Sequence, residues 1–324
     1  MLNLITDFLE YCEIDLNRSE KTIQNYKHYL ERFSSWMAVK SPSAITLPLI
    51  KKYRLKLNRY KDKAGKPLKK ITQAYHVIAL RSFLKYLAKQ DIKTLASEKI
   101  ELPKAESRII QFLDEEELER LLKAPMEFLE KNESKNKSKE KSSLQKTICV
   151  RDKAILELLF STGLRVSELC NLNKKDINLK KNEFTVIGKG DKPRIVFLSD
   201  TAKKALKQYL DLRHDNFNAL LIPCDKKTEG KTGKNTIQNQ PRITPRSIQR
   251  IIKKYSQLAG ITKDITTHSL RHTFATDLLT NGADIRSVQA MLGHASITTT
   301  QIYTHITNQQ LRDIHKAFHG KKRR

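Results

Sequence analysis

Tyr303 lies in GHASITTTQIYTH (residues 293–305), a run of small hydroxyl residues flanked by His294 and His305. A tyrosine in so polar a stretch has two readings. Its ring packs inward from a helix with the hydroxyl at the edge, or its oxygen attacks an electrophile. Other reactive side chains stand upstream where packing alone does not need them. Arg165 follows STGL at the entrance to a helix, and Lys189 sits in the turn GKGDK. His268 and Arg271 are three apart in HSLRH and so share one helix face, and His294 follows Gly293. Guanidiniums, an ammonium, imidazoles and a phenol form a set able to hold an oxyanion, move protons and attack. Singly, each has an ordinary explanation: a solvated or ion-paired arginine, a solvated lysine, a surface His–Arg pair. No metal is expected on His268, His272 and His294, because no carboxylate or cysteine completes a site nearby.

The elements that must position these groups are mostly helical. Leu4, Ile5, Phe8 and Leu9 form an apolar stripe near the N-terminus. Ser19 is the N-cap of a helix with Ile23, Tyr26, Leu30 and Phe33 spaced by three or four. Pro42 and Pro48 interrupt, a basic helix resumes at LPLIKKYRLKLNRYKDK (47–63), and KAGKPLKK (63–70) is a loop. A further helix, 71–92, sets Val77, Leu80, Leu84 and Leu87 on one side and Arg81 and Lys85 on the other. Residues 96–112 lack periodicity and read as a linker. LDEEELERLLKAP then restarts a helix with acids in its first turn, where the helix dipole favours them.

Residues 130–147 are low-complexity and polar, expected as a disordered or mobile insertion, and 226–244 as a second long polar loop. Two helices meet at Thr162–Gly163. EFTVIGKGDKPRIVFLS alternates on both sides of its glycine turn, as a β-hairpin does. Three more helices carry TPRSIQRIIKKYSQLAG, THSLRHTFATDLLTNG and DIRSVQAMLGH. The expected fold is mainly α with a small antiparallel β-sheet in the C-terminal domain. The expected division is a helical domain over 1–97, a linker over 98–112 and a second domain over 113–324.

The chain carries 62 Lys+Arg against 35 Asp+Glu, formally +27. Such an excess repels itself unless a polyanion is near, and long nucleic acids are the usual partner. No apolar segment is long enough to span a membrane, and the N-terminus, with Asp7 and Glu10, does not read as a signal peptide. Cys12, Cys149, Cys170 and Cys224 form no CxxC pair and read as reduced, packed thiols of a cytosolic protein.

Taken together and in order, STGLRVSEL, GKGDKPRIV and THSLRHTFATDLLTNGADIRSVQAMLGHASITTTQIYTH resemble the tyrosine recombinases, the lambda-integrase-like site-specific recombinases. Within that family the chain resembles the bacterial Xer recombinases, through LRDIHKAFH after Tyr303 and the short two-domain layout. SEKTIQNYKHYLERFSSW and ALRSFLKYLAK resemble, less specifically, the family's helical core-binding (SAM-like) domain. The resemblance implies a two-domain clamp around DNA and a catalytic domain whose active site is Arg165, Lys189, His268, Arg271, His294 and the nucleophile Tyr303. It implies cutting and rejoining of strands through a 3′-phosphotyrosyl intermediate.

On a phosphodiester, the forks of Arg165 and Arg271 suit the phosphoryl oxygens, and His294 adds a donor. Lys189 is the candidate general acid for the departing 5′ oxygen, and His268 the candidate proton acceptor for Tyr303. No ATP, metal or other cofactor is expected: the phosphotyrosine keeps the bond energy, and no acidic cluster suited to Mg²⁺ surrounds the motifs. Arg246 and Arg250, with Arg81 and Lys85, are candidate DNA contacts.

The tail has Leu311, Ile314 and Phe318 on one face, and by resemblance docks on a neighbour in a homo-tetramer on two DNA sites. The resemblance also implies chromosome-dimer resolution at cell division, with a septal DNA translocase as activator, in the cytoplasm at the nucleoid and without membrane insertion. The alternative is a phage or mobile-element integrase. A non-catalytic DNA-binding protein explains the charge but not the six positions, and a type IB topoisomerase uses a similar set without a specific site. The polar stretches 130–147 and 226–244 are longer than in typical Xer proteins.

Overall fold

The structure, a computed structural model, describes residues 1–62, 64–102, 111–133, 139–188, 192–224 and 241–293. Lys189, His294 and Tyr303 lie outside them, as do the tail and most of the loop expected at 226–244. The chain divides into two compact units, Met1–Arg108 and Ile109–Arg324.

The first unit holds α1 (Leu2–Ile14), α2 (Glu20–Met37), α3 (Leu47–Arg59) and α4 (Lys70–Lys89). Local chemistry sets where they begin. The hydroxyls of Ser19 and Thr46 accept from the N–H groups of Thr22 and Leu49, both at 3.4 Å, satisfying donors the helix leaves orphaned. Pro48 stands in the first turn of α3, where its missing N–H costs nothing. The apolar stripes meet in one core around Phe8, Leu30, Phe33, Tyr53, Leu80, Leu84 and Leu87. Rings interlock at their edges, Phe8–Phe83 at 5.5 Å and Phe33–Tyr53 at 4.9 Å. Arg81, half-buried, and the exposed Lys85 lie on α4 away from its core stripe.

The first unit reaches past residue 97. A 3₁₀ turn (Ser97–Lys99) seats Ile100, 2% exposed, in this same core. Burial of one apolar side chain outweighs leaving it on an open linker, so the segment expected to start at 98 is packed there. Leu113, expected as the first residue of the second domain, is buried in the second core.

His76 lies at the centre of the first unit, 1% exposed. Its Nδ1 is 2.9 Å from the Thr72 carbonyl and its Nε2 3.3 Å from an Arg32 guanidinium nitrogen. The neutral tautomer with Nδ1–H donating and Nε2 accepting satisfies both. Burial, aided by the Arg32 and His28 charges and opposed by the Thr72 bond, pushes its pKa down from 6.5 to about 4. The unfolded chain therefore takes up this proton first as pH falls. The contribution is intact above 6.5 and is lost progressively towards pH 4, by roughly 2–3 kcal/mol. His76→Gln removes the titration, so the melting-temperature gap between wild type and H76Q should shift in favour of the variant from pH 7 to pH 4.5. Thermal melts at both pH values check this, and a gap independent of pH counts against it.

The second unit runs α5 (Glu115–Glu133), α6 (Lys139–Thr162), α7 (Val166–Asn171), β1 (Glu183–Ile187), β2 (Pro193–Phe197), α8 (Asp200–Asp211), α9 (Pro245–Leu258), α10 (Thr267–Thr280) and α11 (Ile285–Leu292). Helix α6 packs against α5, α8 and α10. Its Ala154, Ile155, Leu156 and Leu158 are all fully buried, the all-round apolarity of a central helix.

Of the insertion expected over 130–147 only the two ends are described, residues 134–138 lying outside the described residues. Helix α5 continues through Pro125 to Glu133, and α6 begins at Lys139. Leu129 and Cys149, on either side of that stretch, are buried.

Strands β1 and β2 pair antiparallel, with Phe184 opposite Val196 and Val186 opposite Arg194. Phe184, Val186 and Val196 face the core. The Gly188 N–H donates to the Lys192 carbonyl at 2.9 Å at the hairpin turn. Strand β2 packs on α6 and α11, which brings the hairpin to the ends of the helices that carry the candidate site. Among the described residues no helix is long and apolar enough to cross a membrane. The four cysteines are free, and all but Cys224 are buried.

Candidate active site

The site forms where α6 ends. Gly163 takes the left-handed conformation, φ +57°, and turns the chain into Leu164 and Arg165, the N-cap of α7. Glu168, in the first turn of α7, reaches back to accept from the Arg165 N–H at 2.8 Å, a capping geometry. The same carboxylate accepts from the Arg165 guanidinium at 2.8 Å and from two nitrogens of Arg194 at 2.9 and 2.6 Å. Burial pushes the Glu168 pKa up, but the bonds from Arg194 and Arg165 outweigh it and hold the carboxyl at about 2.

Three guanidiniums converge on the C-terminal end of α11. Arg194 Nε donates to the Met291 carbonyl at 3.1 Å, an Arg271 Nη2 N–H donates to the Leu292 carbonyl, and Arg165 Nη2 donates to the Gly293 carbonyl at 3.3 Å. A helix end leaves its last carbonyls without partners and carries partial negative charge, so successive carbonyls each draw a cation. Gly293, φ +62°, terminates the helix, and His294 follows directly. Arg271 is 5% exposed; its other Nη donates to the Gly163 carbonyl at 2.5 Å. One fork thus ties the exit of α6 to the exit of α11.

His268 and Arg271 stand on the first turns of α10, which Thr266 caps through the Ser269 N–H at 3.2 Å. His268 reaches the surface. Partial burial, then the charges of Arg271 and Arg165, push its pKa below the ordinary 6.5. It is therefore neutral at neutral pH, the form able to accept a proton. Both arginines act on His268, which brings Arg165, His268 and Arg271 into one electrostatic neighbourhood. Arg246 and Arg250 are exposed, four apart on one face of α9, opposite the buried Ile248, Ile252 and Tyr255. Among the described residues, no group of three or more His, Cys, Asp or Glu side chains is placed to hold a metal.

Two residues of this arrangement escape a reading of reactive types alone. Glu168 carried a signal, an acid three residues after Arg165 at a helix start. Arg194 carried none, because its partners lie 26 and 97 residues away.

Gly163 has no room for a side chain. A Cβ there would lie 2.5 Å from Phe274 Cδ1 and 3.1 Å from Leu292 Cδ2. Gly163→Ala should cost roughly 2–4 kcal/mol from backbone strain and overpacking, lowering the melting temperature by about 5–15 °C. An unchanged melt contradicts this.

The phage integrase family model matches residues 111–310, and that of the phage integrase N-terminal SAM-like domain matches residues 5–91. The chain belongs to the phage integrase family. This tyrosine recombinase is 37% identical to the tyrosine recombinase XerD of Oceanobacillus iheyensis over 97% of each chain. It is 36% identical to XerC of Thermodesulfovibrio yellowstonii over 97% of this chain and 95% of that one, and 35% identical to XerC of Bacillus subtilis over 98% and 96%. It thus resembles XerC and XerD proteins to nearly the same degree. Among solved structures, the XerH site-specific recombinase bound to palindromic difH substrate superposes with a TM-score of 0.66 at 24% identity, over 95% of this chain and 83% of that one. The Tn1549 transposon integrase in complex with transposon right end DNA gives 0.65 at 20% identity, over 97% and 99%. These two share its fold, mainly helical with a two-stranded antiparallel sheet and a SAM-like domain ahead of the catalytic domain.

Proposed function

We propose that this Xer-type site-specific recombinase, acting on duplex DNA, cuts and rejoins strands with Tyr303 as nucleophile. The phenol oxygen attacks the scissile phosphorus while His268 takes its proton. The bond from phosphorus to the 5′ oxygen breaks, and Lys189 gives that oxygen a proton. Arg165 and Arg271 neutralise the charge growing on the non-bridging oxygens, and His294 adds a donor. The 3′-phosphotyrosyl ester keeps the energy of the broken bond, so a 5′-hydroxyl from another strand restores a phosphodiester without ATP.

The reading rests above all on the gathering of Arg165, Arg271 and His268 at the exit of α11, one residue ahead of His294. The exposed Lys85, Arg246 and Arg250 and the half-buried Arg81 serve DNA contact, for which cations on helix faces are suited. Relatives named XerC and XerD along nearly the whole chain favour chromosome-dimer resolution over integration of a mobile element. On that reading the protein works in the cytoplasm at the nucleoid, as a homo-tetramer on two sites, and a septal DNA translocase activates it.

A nicked duplex tests the chemistry. Its site is selected by the wild-type chain from a random-sequence library, and the nick releases the short 5′-hydroxyl strand after cleavage. A denaturant-stable adduct mapping to the Tyr303 peptide by mass spectrometry is expected. Bound DNA without an adduct overturns the reading.

A further inference from the structure

We propose that Arg194 is a positioning residue for strand cleavage: its guanidinium, held between the Glu168 carboxylate and the Met291 carbonyl, fixes Arg165 relative to the exit of α11. The inference rests on the recombinase reading above and extends it to a residue whose side chain is almost wholly buried.

The Arg194 side chain is 8% exposed, so it is enclosed by protein. It lies against the segments that carry Arg165 and that precede Lys189 and His294. It grips both oxygens of Glu168 at 2.9 and 2.6 Å, and Glu168 in turn holds the Arg165 backbone and guanidinium. Its Nε holds the Met291 carbonyl at 3.1 Å, three residues before His294. A Cβ at Gly293 would lie 3.0 Å from its Cδ, and one at Gly188 3.3 Å from its Nη1. The chain passes close against this side chain just before His294 and just before Lys189.

Charge gives the second argument. Glu168 alone would orient Arg165 but cancel the charge Arg165 brings to a phosphate. A second guanidinium on the same carboxylate restores a net positive charge and takes a share of its hydrogen-bonding capacity. Lysine at position 194 would keep the charge but lose the fork that spans both oxygens and the Met291 carbonyl. The hairpin is also a suitable place for the clamp: β2 packs on α11, so a rigid strand sets the register of the helix end.

Single-turnover adduct formation on the nicked duplex, at saturating protein, reads the effect. Arg194→Met should slow cleavage about 10²-fold, the scale of a small misplacement of reacting groups, with DNA affinity within about threefold because phosphate contacts elsewhere carry it. Arg194→Lys should recover only part of the rate. Adding Glu168→Gln to R194M should regain part of the loss, because Arg165 is then no longer neutralised; non-additivity of this kind marks coupled neighbours.

An R194M rate within about threefold of wild type overturns the proposal, as does loss of binding and cleavage in equal proportion. If R194M does not fold, R194K decides: a loss of about tenfold or more with an unchanged melt supports the role, and wild-type speed refutes it. A wild-type chain that binds the duplex but forms no adduct sinks the recombinase reading itself. A wild-type adduct with an undiminished R194M rate sinks the positioning role alone.

Discussion

Tyr303→Phe is expected to abolish the covalent protein–DNA adduct while duplex binding stays within about threefold of wild type, since phosphate contacts carry most of the affinity. The substitution removes a single oxygen, the atom assigned to attack phosphorus. Loss of an enzyme's nucleophile costs on the order of 10⁶-fold in kcat, so adduct falls below detection. Binding should survive because the 62 basic side chains that outnumber 35 acids are untouched. A denaturing gel for adduct and a mobility shift at one fixed salt concentration measure both. An adduct that persists in Y303F would move the chemistry to another residue. Simultaneous loss of binding and adduct would make Tyr303 a packing residue instead.

The second-largest effect is expected at Arg271. Arg271→Ala should slow cleavage by about 10²–10³-fold, the usual cost of removing one preorganised donor to a developing oxyanion. It should also cost roughly 2–4 kcal/mol of stability, because the buried carbonyls of Gly163 and Leu292 each lose a donor. The two losses have separate origins. The proposed role asks one guanidinium both to brace the backbone and to face a phosphate. Arg271→Lys tests this division. It keeps the charge but not the planar fork, so stability should return in part while cleavage stays low. Melting temperature and single-turnover rates, measured on the same preparations, separate the two. R271A cleaving at the wild-type rate would reduce Arg271 to a clamp between helix ends.

Much of the architecture was legible because local chemistry decided it. Ser19 stands where a helix begins and its hydroxyl caps it, and the apolar spacing over 71–92 places Val77, Leu80, Leu84 and Leu87 in the core. The hairpin and the glycine break after Thr162 were equally readable, the break following from backbone freedom at Gly163. Average composition says less where single apolar residues decide the packing. Helix α5 runs to Glu133 and α6 starts at Lys139, at the two ends of the polar tract 130–147, whose middle lies outside the described residues. Ile100 was counted with a linker, yet one apolar residue suffices to seat a turn in a core.

By itself the sequence determined which reactive groups the chain owns, their order, and hence the chemistry open to them, because charge, nucleophilicity and hydrogen-bonding fork belong to residue types. It could not say which partner each cation takes. Arg165 meets the Gly293 carbonyl across 128 residues and Arg271 the Gly163 carbonyl across 108. Arg194 enters only because β2 lies against α11. Those choices follow from where a helix end points its unpaired carbonyls, and that direction exists only once the second unit has closed around α6.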